Sequence, residues 1–282
     1  MKVIRSPQRL QKILDGERLR KKKVGFVPTM GALHEGHLSL VRAAARENDV
    51  TVVSIFVNPA QFGPHEDYTK YPRAPGADKR FLQKEKVDYL FSPSVSRIYP
   101  RDHATHVTVG PELAEVLCGK FRPGHFQGVA TVVAKLLNIV GPNRLYMGAK
   151  DYQQAAVIRR LIRDLHMNVK LRVMPTVRER DGLALSSRNR YLNAEERRRA
   201  LALSHALFEF RRNILKKKGT LAFLRAQAVD DLRKTVDRVQ YFEVVDPVTF
   251  APLRKVRRKM AVLTACFVGK TRLIDNVIIT LP

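Results

Sequence analysis

The chain has 282 residues, 45% of them hydrophobic and 28% charged, and its formal net charge at pH 7 is +26, a size that suits one large domain or two smaller ones. No apolar run approaches the roughly 18 residues that span a bilayer, and the charged segment 1–23 has no apolar stretch typical of a secretory signal. The only cysteines, Cys118 and Cys266, argue against a disulfide framework and exclude a cysteine-based zinc site, so we expect a soluble cytoplasmic protein without a membrane partner.

Up to Pro175, short β-branched runs alternate with longer helical patterns. The predicted strands are, in order, KVGFVPT, DVTVVSIFV, VDYLFSP, RLYMGA and NVKLRVMP. The predicted helices between them are HLSLVRAAAREN, residues 76–86, GVATVVAKLLNIV and DYQQAAVIRRLIRDL. The first of these helices is expected to place Leu38, Val41 and Ala45 on one face. This alternation predicts an α/β fold with an open, mostly parallel sheet and right-handed crossovers.

The pattern changes after Pro175. The segment NAEERRRALALSHALFEFRRNILKKKG predicts a long helix, because Asn193 is a good helix cap and two glutamates occupy the first turn. The runs QYFEVVDP and MAVLTACFV predict strands of a small mixed sheet. We place the boundary near residues 175–182, between an N-terminal domain (1–176) and a smaller α+β C-terminal domain (177–282).

The first predicted strand leads into PTMGALHEGHLSLV, where His34 and His37 stand three residues apart at the start of a helix. Ligands gather at the carboxyl ends of parallel strands, and the free amides of a helix N-terminus favour an anion. Gly31 and Gly36 are expected to permit unusual backbone angles and the close approach of a ligand. Two imidazoles at i and i+3 can face one phosphate and stabilise charge on it.

Other roles for this histidine pair stay open on local grounds. Ordinary surface or helix-cap chemistry is the commoner role of two such residues near a helix start. A zinc site is less favoured, since metalloprotease motifs place their histidines at i and i+4 on an established helix. No G-x-G-x-x-G follows the first strand, which disfavours an NAD or FAD enzyme.

Two further motifs carry neutral and basic side chains. VVSIFVNPAQF ends with Asn58 and Gln61, whose amides can hydrogen-bond a small acid, although a plain Asn-Pro turn is the commoner role. FRPGHFQG places Arg122 and His125 just before a helix. The two side chains can bind a carboxylate or a phosphate there, or they can hold the loop together through hydrogen bonds to its backbone.

Two more motifs carry groups suited to phosphates. In YMGAKDYQQ, Gly148 ends a strand and Lys150 supplies a point charge, while Asp151 can accept ribose hydroxyls or cap the next helix. In DGLALSSRN, at the domain junction, two serines and Arg188 can clamp phosphate oxygens or form an ordinary capped loop. Gly182 allows that loop to move.

These residues carry a resemblance to a known family. HEGH after a first strand resembles the H-x-G-H motif of the nucleotidylyltransferase superfamily, which includes class I aminoacyl-tRNA synthetases. The longer FVPTMGALHEGHLSLV is similar to the first motif of the pantothenate synthetase (pantoate–β-alanine ligase) family, and the other motifs match that family in the same order. The resemblance implies a Rossmann-like fold of the nucleotidylyltransferase type with a C-terminal lid domain, a homodimer, and Mg²⁺ accompanying ATP.

The reaction that the resemblance implies has two steps. The pantoate carboxylate attacks the α-phosphorus of ATP, which gives pantoyl adenylate and pyrophosphate. β-Alanine then attacks the activated carbonyl, which releases AMP and pantothenate. Positioning and charge stabilisation carry such chemistry without a covalent enzyme intermediate.

The resemblance also implies roles for individual residues. The expected ATP-binding residues are Met30, Gly31, His34, Gly36, His37, Gly148, Lys150, Asp151, Val177, Leu185, Ser186, Ser187 and Arg188. The expected catalytic residues are His34, His37, Lys150 and Arg188. The expected substrate-binding residues are Asn58, Gln61, Gln154, Arg122 and His125. TRLIDN near the C-terminus also matches the family, with a mainly structural role.

The chain departs from the family at one place. Some members have consecutive acidic residues after YPR that are implicated in magnesium binding. Here the stretch is YPRAPGADKRF, and Asp78 is the one acidic residue left as a candidate magnesium ligand. We therefore expect the ATP phosphates, rather than protein ligands, to hold Mg²⁺.

Two alternative functions follow from the same residues. One is another adenylate-forming or nucleotidyl-transferring enzyme of the superfamily that uses a different acid. The other is a basic RNA-binding module that retains only the fold. Much of the excess charge lies late in the chain, on predicted helix faces and loops without the aromatic residues typical of single-strand binding. We therefore expect no specific nucleic-acid partner.

Overall fold

The computed structural model describes residues 1–64 and 66–282. Its strands are β1 (Lys2–Ile4), β2 (Val24–Thr29), β3 (Val50–Ile55), β4 (Tyr89–Phe91), β5 (Arg144–Gly148), β6 (Lys170–Met174), β7 (Arg238–Val245), β8 (Lys259–Val268) and β9 (Thr271–Thr280). Its α-helices are α1 (Pro7–Leu19), α2 (Glu35–Glu47), α3 (Pro75–Lys84), α4 (Val95–Ile98), α5 (Pro111–Ala114), α6 (Cys118–Phe121), α7 (His125–Val140), α8 (Tyr152–Asp164), α9 (Ala194–Leu215) and α10 (Leu221–Arg233). Short 3₁₀ helices cover Pro59–Gln61, Ala149–Asp151 and Ser187–Tyr191.

Six strands form one sheet in the order β1-β4-β3-β2-β5-β6, and every neighbouring pair is parallel. Val24, Phe26 and Val27 of the central strand β2 are fully buried, as expected for a parallel sheet that is covered on both faces. The predicted Rossmann-like α/β sheet is therefore confirmed. Helix α1 and the short edge strand β1 were not predicted.

Helix α2 forms where the sequence predicts it but turns a different face inward. Its buried residues include Leu40, Val41 and Ala44, whereas Ala45 is exposed and Leu38 is half-buried. The prediction holds for Val41 but was wrong for Leu38 and Ala45, because a run of three alanines does not distinguish one side of a helix from another. The packing of Leu40 and Ala44 among buried residues of the sheet decides it.

The second sheet has the order β7-β8-β9, and both of its pairs are antiparallel. The prediction of a mixed sheet was therefore wrong. Strand β9 was not predicted, because polar residues such as Asp275 and Asn276 interrupt its apolar pattern, yet both are buried. Helix α9 begins as predicted, since Asn193 Oδ1 accepts the N–H groups of Glu195 and Glu196 at 3.0 and 2.9 Å.

The two sheets contribute to one apolar core. Buried residues of the second sheet, including Tyr241 and Leu263, belong to the same apolar core as helix α7. The first sheet ends at Met174 and helix α9 begins at Ala194, so the predicted boundary falls in the connection between them. Within the described chain, no helix is both long enough and apolar enough to cross a membrane.

Candidate functional site

A cavity of about 230 Å³ opens where strands β2, β3 and β5 of the parallel sheet end. The predicted site residues that line it are Met30, His34, Gly36, His37, Asn58, Gln61, Arg122, His125, Gly148, Lys150, Asp151, Gln154, Val177, Leu185, Ser186, Ser187 and Arg188. Gly31 and Asp78 do not line it. The five motifs meet here because three of them follow β2, β3 and β5, and the carboxyl ends of neighbouring parallel strands lie at one edge of the sheet.

His34 and His37 cap helix α2 with their side chains. Nδ1 of His34 accepts the N–H of Gly36 at 3.2 Å, and Nδ1 of His37 accepts the N–H of His34 at 3.4 Å. The pair thus forms a capping box, in which each side chain satisfies a backbone donor at the helix start. The local sequence left helix capping and a position facing the ligand site as alternatives for the two histidines. In the structure they do both.

This capping arrangement decides which ring nitrogens carry hydrogen. A ring nitrogen that accepts an N–H is unprotonated, so a neutral His34 or His37 carries its hydrogen on Nε2. Burial, reinforced by the positive charge of Lys150, lowers the pKa of His34 to about 4, and burial together with His34 lowers the pKa of His37 to about 3. Both rings are therefore neutral donors at pH 7.

Gly36 has a steric rather than a conformational role. A Cβ atom at this position would lie 2.9 Å from Cε1 and 3.0 Å from Nδ1 of His34. The backbone of Gly36 is not left-handed, in contrast to Gly31, whose φ is 83°. The expectation of an unusual backbone at Gly36 was therefore wrong, because this glycine leaves room for the ring of His34 to fold back onto the helix.

Asp78 braces the loop between strand β2 and helix α2. Its carboxylate is 1% exposed and accepts the N–H groups of Ala32 and Leu33 at 2.9 and 2.8 Å. Ala32 has a φ of 50°, a strained value for a residue with a Cβ, and these hydrogen bonds hold it in place. Asp78 thus supports the loop that carries His34.

Lys150 and Asp151 lie in a 3₁₀ turn at the end of strand β5. The Lys150 ammonium is 3.7 Å from the Asp151 carboxylate. Burial raises the pKa of Asp151, but Lys150 and Arg188 outweigh it and bring that pKa below the usual value. Nδ2 of Asn276 donates to the carbonyl oxygens of Ala149 and Lys150 at 3.0 and 2.8 Å. The C-terminal sheet therefore fixes the turn that presents Lys150.

Asn58 sets the orientation of Gln61. Nδ2 of Asn58 must face the carbonyl of Gly128, which only accepts, and Oδ1 faces the N–H of Ala60, which only donates. The same Nδ2 donates to Oε1 of Gln61 at 3.1 Å, and Tyr99 Oη donates to Asn58 Oδ1 at 2.8 Å. Gln61 therefore keeps its Nε2 donor for the cavity side, where it also contacts Met30 Sδ at 2.9 Å.

Arg122 and His125 are occupied by protein partners. Arg122 pairs with Glu66 through two hydrogen bonds of 2.5 and 2.6 Å and donates to the carbonyl of Gln61 at 3.2 Å. Nδ1 of His125 donates to that same carbonyl at 2.8 Å, and its Nε2 accepts from Arg122 at 3.0 Å. Burial, followed by Arg122, lowers the pKa of His125 to about 3. The geometry favours the loop-holding role that the sequence left open.

The Ser186–Arg188 segment closes one side of the cavity. Ser187 Oγ donates to the carbonyl of Ala32 at 3.1 Å, which fixes the segment to the loop beside His34. Nε and Nη2 of Arg188 donate to the Asp67 carboxylate at 3.0 and 2.7 Å. The guanidinium of Arg188 also lies 5.7 Å from the ring centre of Tyr71.

An ion pair anchors the chain that leads to the Ser186–Arg188 segment to the C-terminal sheet. Arg178 makes two hydrogen bonds of 2.6 and 2.8 Å to Asp275, which is 4% exposed. Arg178 also donates to the carbonyl of Gly182 at 3.0 Å. Strand β9, through Asp275 and Asn276, thus holds both the Lys150 turn and the connection at Arg178 that leads to the Ser186–Arg188 segment.

Sequence reasoning missed several residues of the site. Glu66 and Asp67, which precede YPR in the sequence, received no role, and Tyr71, Tyr99 and Asn276 were not assigned to the site. Each acts through a partner far away in sequence. Opposite charges at Glu66/Asp67 and Arg122/Arg188 were visible, but no sequence spacing shows which pairs form.

The chain is similar to one family over nearly all of its length. A family profile described as pantoate-beta-alanine ligase matches residues 2–278. The protein named pantothenate synthetase from Thermosipho melanesiensis is 52% identical over 283 residues, covering 99% of both chains. The protein of that name from Thermotoga neapolitana is 51% identical, over 99% of this chain and 100% of the relative.

Solved structures agree with this similarity. The crystal structure of pantothenate synthetase from Thermus thermophilus matches with a TM-score of 0.93 at 45% identity, covering 98% of this chain and 99% of that one. The structure of pantoate-beta-alanine ligase from Francisella tularensis, complexed with beta-gamma ATP and beta-alanine, matches with a TM-score of 0.82 at 39% identity, covering 98% and 97%. Fold and sequence therefore point to the same family.

Proposed function

The chain belongs to the pantoate-beta-alanine ligase family, and we infer that it joins pantoate to β-alanine through a C–N bond, using ATP and releasing AMP and pyrophosphate. The structural observation that supports this most strongly is the meeting of all five motifs around one cavity. The histidine pair supplies neutral donors, Lys150 supplies positive charge, and Gln61 supplies an oriented amide. An adenylate-forming reaction of a small acid needs these three elements.

In the first step, a carboxylate oxygen of pantoate forms a bond to the α-phosphorus of ATP. The bond from that phosphorus to the bridging oxygen breaks, and pyrophosphate leaves with the electron pair. Nε2–H of His34 and of His37, together with Lys150 and Arg188, would stabilise the negative charge that develops on the phosphate oxygens. Because the two rings are already neutral and oriented by their caps, they need no reorganisation during the reaction.

Pantoate would lie on the Gln61 side of the cavity. The Nε2 donor of Gln61 suits a carboxylate or hydroxyl oxygen, and Gln154 lines the same cavity from helix α8. The neighbouring Gln153 is buried and bonds to the carbonyls of Leu113 and Val116 at 2.9 and 2.8 Å, so it supports the fold instead. Asn58 would act by orienting Gln61, and Arg122 and His125 by holding its backbone carbonyl.

The nucleotide would extend from the histidine pair toward the C-terminal domain. Asp151 would accept the ribose hydroxyls, while Met30, Gly148, Val177 and Leu185 would line the adenosine end, and Ser186 and Ser187 would meet the phosphates. These assignments follow the family resemblance and are supported by the position of each residue on the cavity wall. Gly31 would act indirectly, through its left-handed backbone in the loop before His34.

In the second step, the amine of β-alanine attacks the carbonyl carbon of pantoyl adenylate. The C–N bond forms, the bond from that carbon to the phosphate oxygen breaks, AMP leaves with the electron pair, and the amine releases a proton to solvent. Water must be kept from the adenylate. We assign that task to the proposed C-terminal domain (177–282), whose β9 residues contact the Lys150 turn of the proposed N-terminal domain (1–176).

Mg²⁺ would enter with the nucleotide. Within residues 1–64 and 66–282, no group of three or more histidine, cysteine, aspartate or glutamate side chains is arranged to hold a metal ion. Both oxygens of Asp78 already accept backbone hydrogens. These residues do not fit a protein-bound metal, so we leave Asp78 out of the site and assign the ion to the ATP phosphates, whose oxygens Mg²⁺ prefers. The homodimer rests on the sequence resemblance, and the cytoplasmic location rests on the composition of the chain and the character of segment 1–23.

The test is pyrophosphate and AMP formation with ATP, pantoate and β-alanine, each omitted in turn. Pantoate should be required for pyrophosphate release, and β-alanine for AMP release. A series of other small hydroxy acids tests the alternative of a different acid substrate. Pyrophosphate release that pantoate does not stimulate would contradict the proposed function.

A further inference from the structure

Two adjacent carboxylates hold the two arginines of the cavity wall. Glu66 accepts hydrogen bonds from Nε and Nη2 of Arg122, and Asp67 accepts them from Nε and Nη2 of Arg188. Both pairs are thus bidentate, with all four distances between 2.5 and 3.0 Å. Bidentate pairing fixes the plane of a guanidinium as well as its position.

The two arginines differ in the donors that remain. Besides Glu66, Arg122 serves the Gln61 carbonyl through Nη2 and His125 through Nη1, so all three of its nitrogens have protein partners. The side-chain hydrogen bonds of Arg188 within the described chain go to Asp67 alone and use Nε and Nη2. Since a guanidinium has five N–H groups, the Nη1 group and a second Nη2 hydrogen stay available to an anion.

Other contacts keep the Asp67 carboxylate charged and in place. Tyr191 Oη shares its single hydrogen between the carbonyl of Lys70 at 3.0 Å and Asp67 at 3.4 Å. Burial raises the pKa of Asp67, but the hydrogen bonds and charge of Arg188 outweigh it and bring the pKa below its usual value. The side chains of Arg188 and Asp67 are 27% and 24% exposed, so solvent screens this pair less than one on the open surface.

We propose that Asp67 is a positioning residue for the ATP phosphates: it holds one edge of the Arg188 guanidinium and thereby presents the other edge to the nucleotide. The proposal rests on the function inferred above, because it takes the anion to be the polyphosphate of ATP. Glu66 is the neighbouring carboxylate and also makes a bidentate pair, but its partner is Arg122, which bonds the carbonyl of Gln61. Glu66 therefore supports the Gln61 side of the cavity. The pair divides positioning between nucleotide and acid substrate.

The test is Asp67→Asn, which keeps the size of the side chain but removes its charge. We expect kcat for pantoate-dependent pyrophosphate release to fall about 10- to 100-fold, the range for losing a charge-assisted contact, while the KM for pantoate stays within about twofold. Asp67→Glu retains the charge and should recover part of the loss. The matched variant Glu66→Gln should instead raise the KM for pantoate, and Glu209→Gln, on the exposed face of helix α9, should behave like the wild type.

A double-mutant cycle with Arg188→Lys separates positioning from a general structural effect. If Asp67 acts through Arg188, Asp67→Asn should cause little further loss of kcat in the Arg188→Lys background. Losses that multiply, or an Asp67→Asn enzyme with wild-type kcat, would overturn the proposal. If Asp67→Asn does not fold, the same cycle is run with Asp67→Glu. A wild-type protein without pantoate-dependent release would instead count against the proposed function itself.

Discussion

The imidazole rings of His34 and His37 lie with their centres 4.1 Å apart, and each ring uses Nδ1 to accept a backbone N–H at the start of helix α2. This relationship links helix capping to the proposed catalytic role, because satisfying the helix start forces the hydrogen of each neutral ring onto Nε2. Two roles of one side chain can therefore be separated by substitutions that keep one and remove the other.

His37→Asn should separate these roles most clearly. An asparagine side chain can still accept the N–H of His34, but it cannot extend an N–H to the position of the histidine Nε2. We expect pantoate-dependent pyrophosphate release to fall about 10²- to 10³-fold, as when one transition-state donor is lost, while the melting temperature changes little. His37→Ala, which removes the cap as well, should also lower the melting temperature. Full adenylation activity in either variant would contradict the role of His37.

The histidines should also make stability depend on pH. Their pKa values of about 4 and about 3 in the folded chain lie below the ordinary value of 6.5, so the unfolded chain binds more protons between these limits. As far as these two histidines are concerned, the free energy of unfolding should be highest above about pH 6.5 and should decrease as the pH falls toward 4. Urea unfolding at pH 7.0 and 5.0 measures this change, and His37→Asn should reduce it. An equal pH dependence in wild type and variant would exclude His37 as a contributor.

Gln61→Glu tests the orientation of the amide. Asn58 Nδ2 would still bond one oxygen of the new carboxylate, and the other oxygen would replace the Nε2 donor on the cavity side. Two carboxylates would then face each other when pantoate binds. We expect the KM for pantoate to rise more than about tenfold, since like charges in a partly buried site repel strongly, while ATP affinity in calorimetry stays nearly constant. A parallel loss of ATP affinity would show that Gln61 does not act on pantoate alone.

Asn276→Ala tests the coupling between the C-terminal sheet and the Lys150 turn. The change removes both hydrogen bonds to the carbonyls of Ala149 and Lys150, which contribute about 1 kcal/mol each in typical cases. We expect kcat/KM for ATP to fall about tenfold or more, because Lys150 loses its fixed position. Asn168→Ala, at an exposed loop position, is the control. Wild-type kinetics in Asn276→Ala would show that the turn holds Lys150 without help from strand β9.

Local pattern predicts much of the fold of this chain. Strands β2 and β3 appear as nearly continuous apolar runs, and the Asn193 cap marks the start of helix α9. Each of these signals is contained within a few consecutive residues. Strand β9 escapes this approach, since Asp275 and Asn276 look solvent-exposed until Arg178 and the Lys150 turn are brought against them. The inward face of helix α2 escapes it too, because adjacent alanines are equivalent until the sheet is in place.

By itself, the sequence determined the parallel sheet, the five motifs and the chemistry proposed for them, because these depend on residue type and on spacing along short segments. Only the tertiary structure decided how the polar groups divide their work. Pairings such as Asp67 with Arg188, or Asn58 with Gly128, join segments that are far apart in the chain. They depend on which groups burial forces to find a hydrogen-bond partner. That requirement gives each nitrogen of Arg122 a protein partner, whereas Nη1 of Arg188 has none among the described residues, and the proposed phosphate contact depends on this difference.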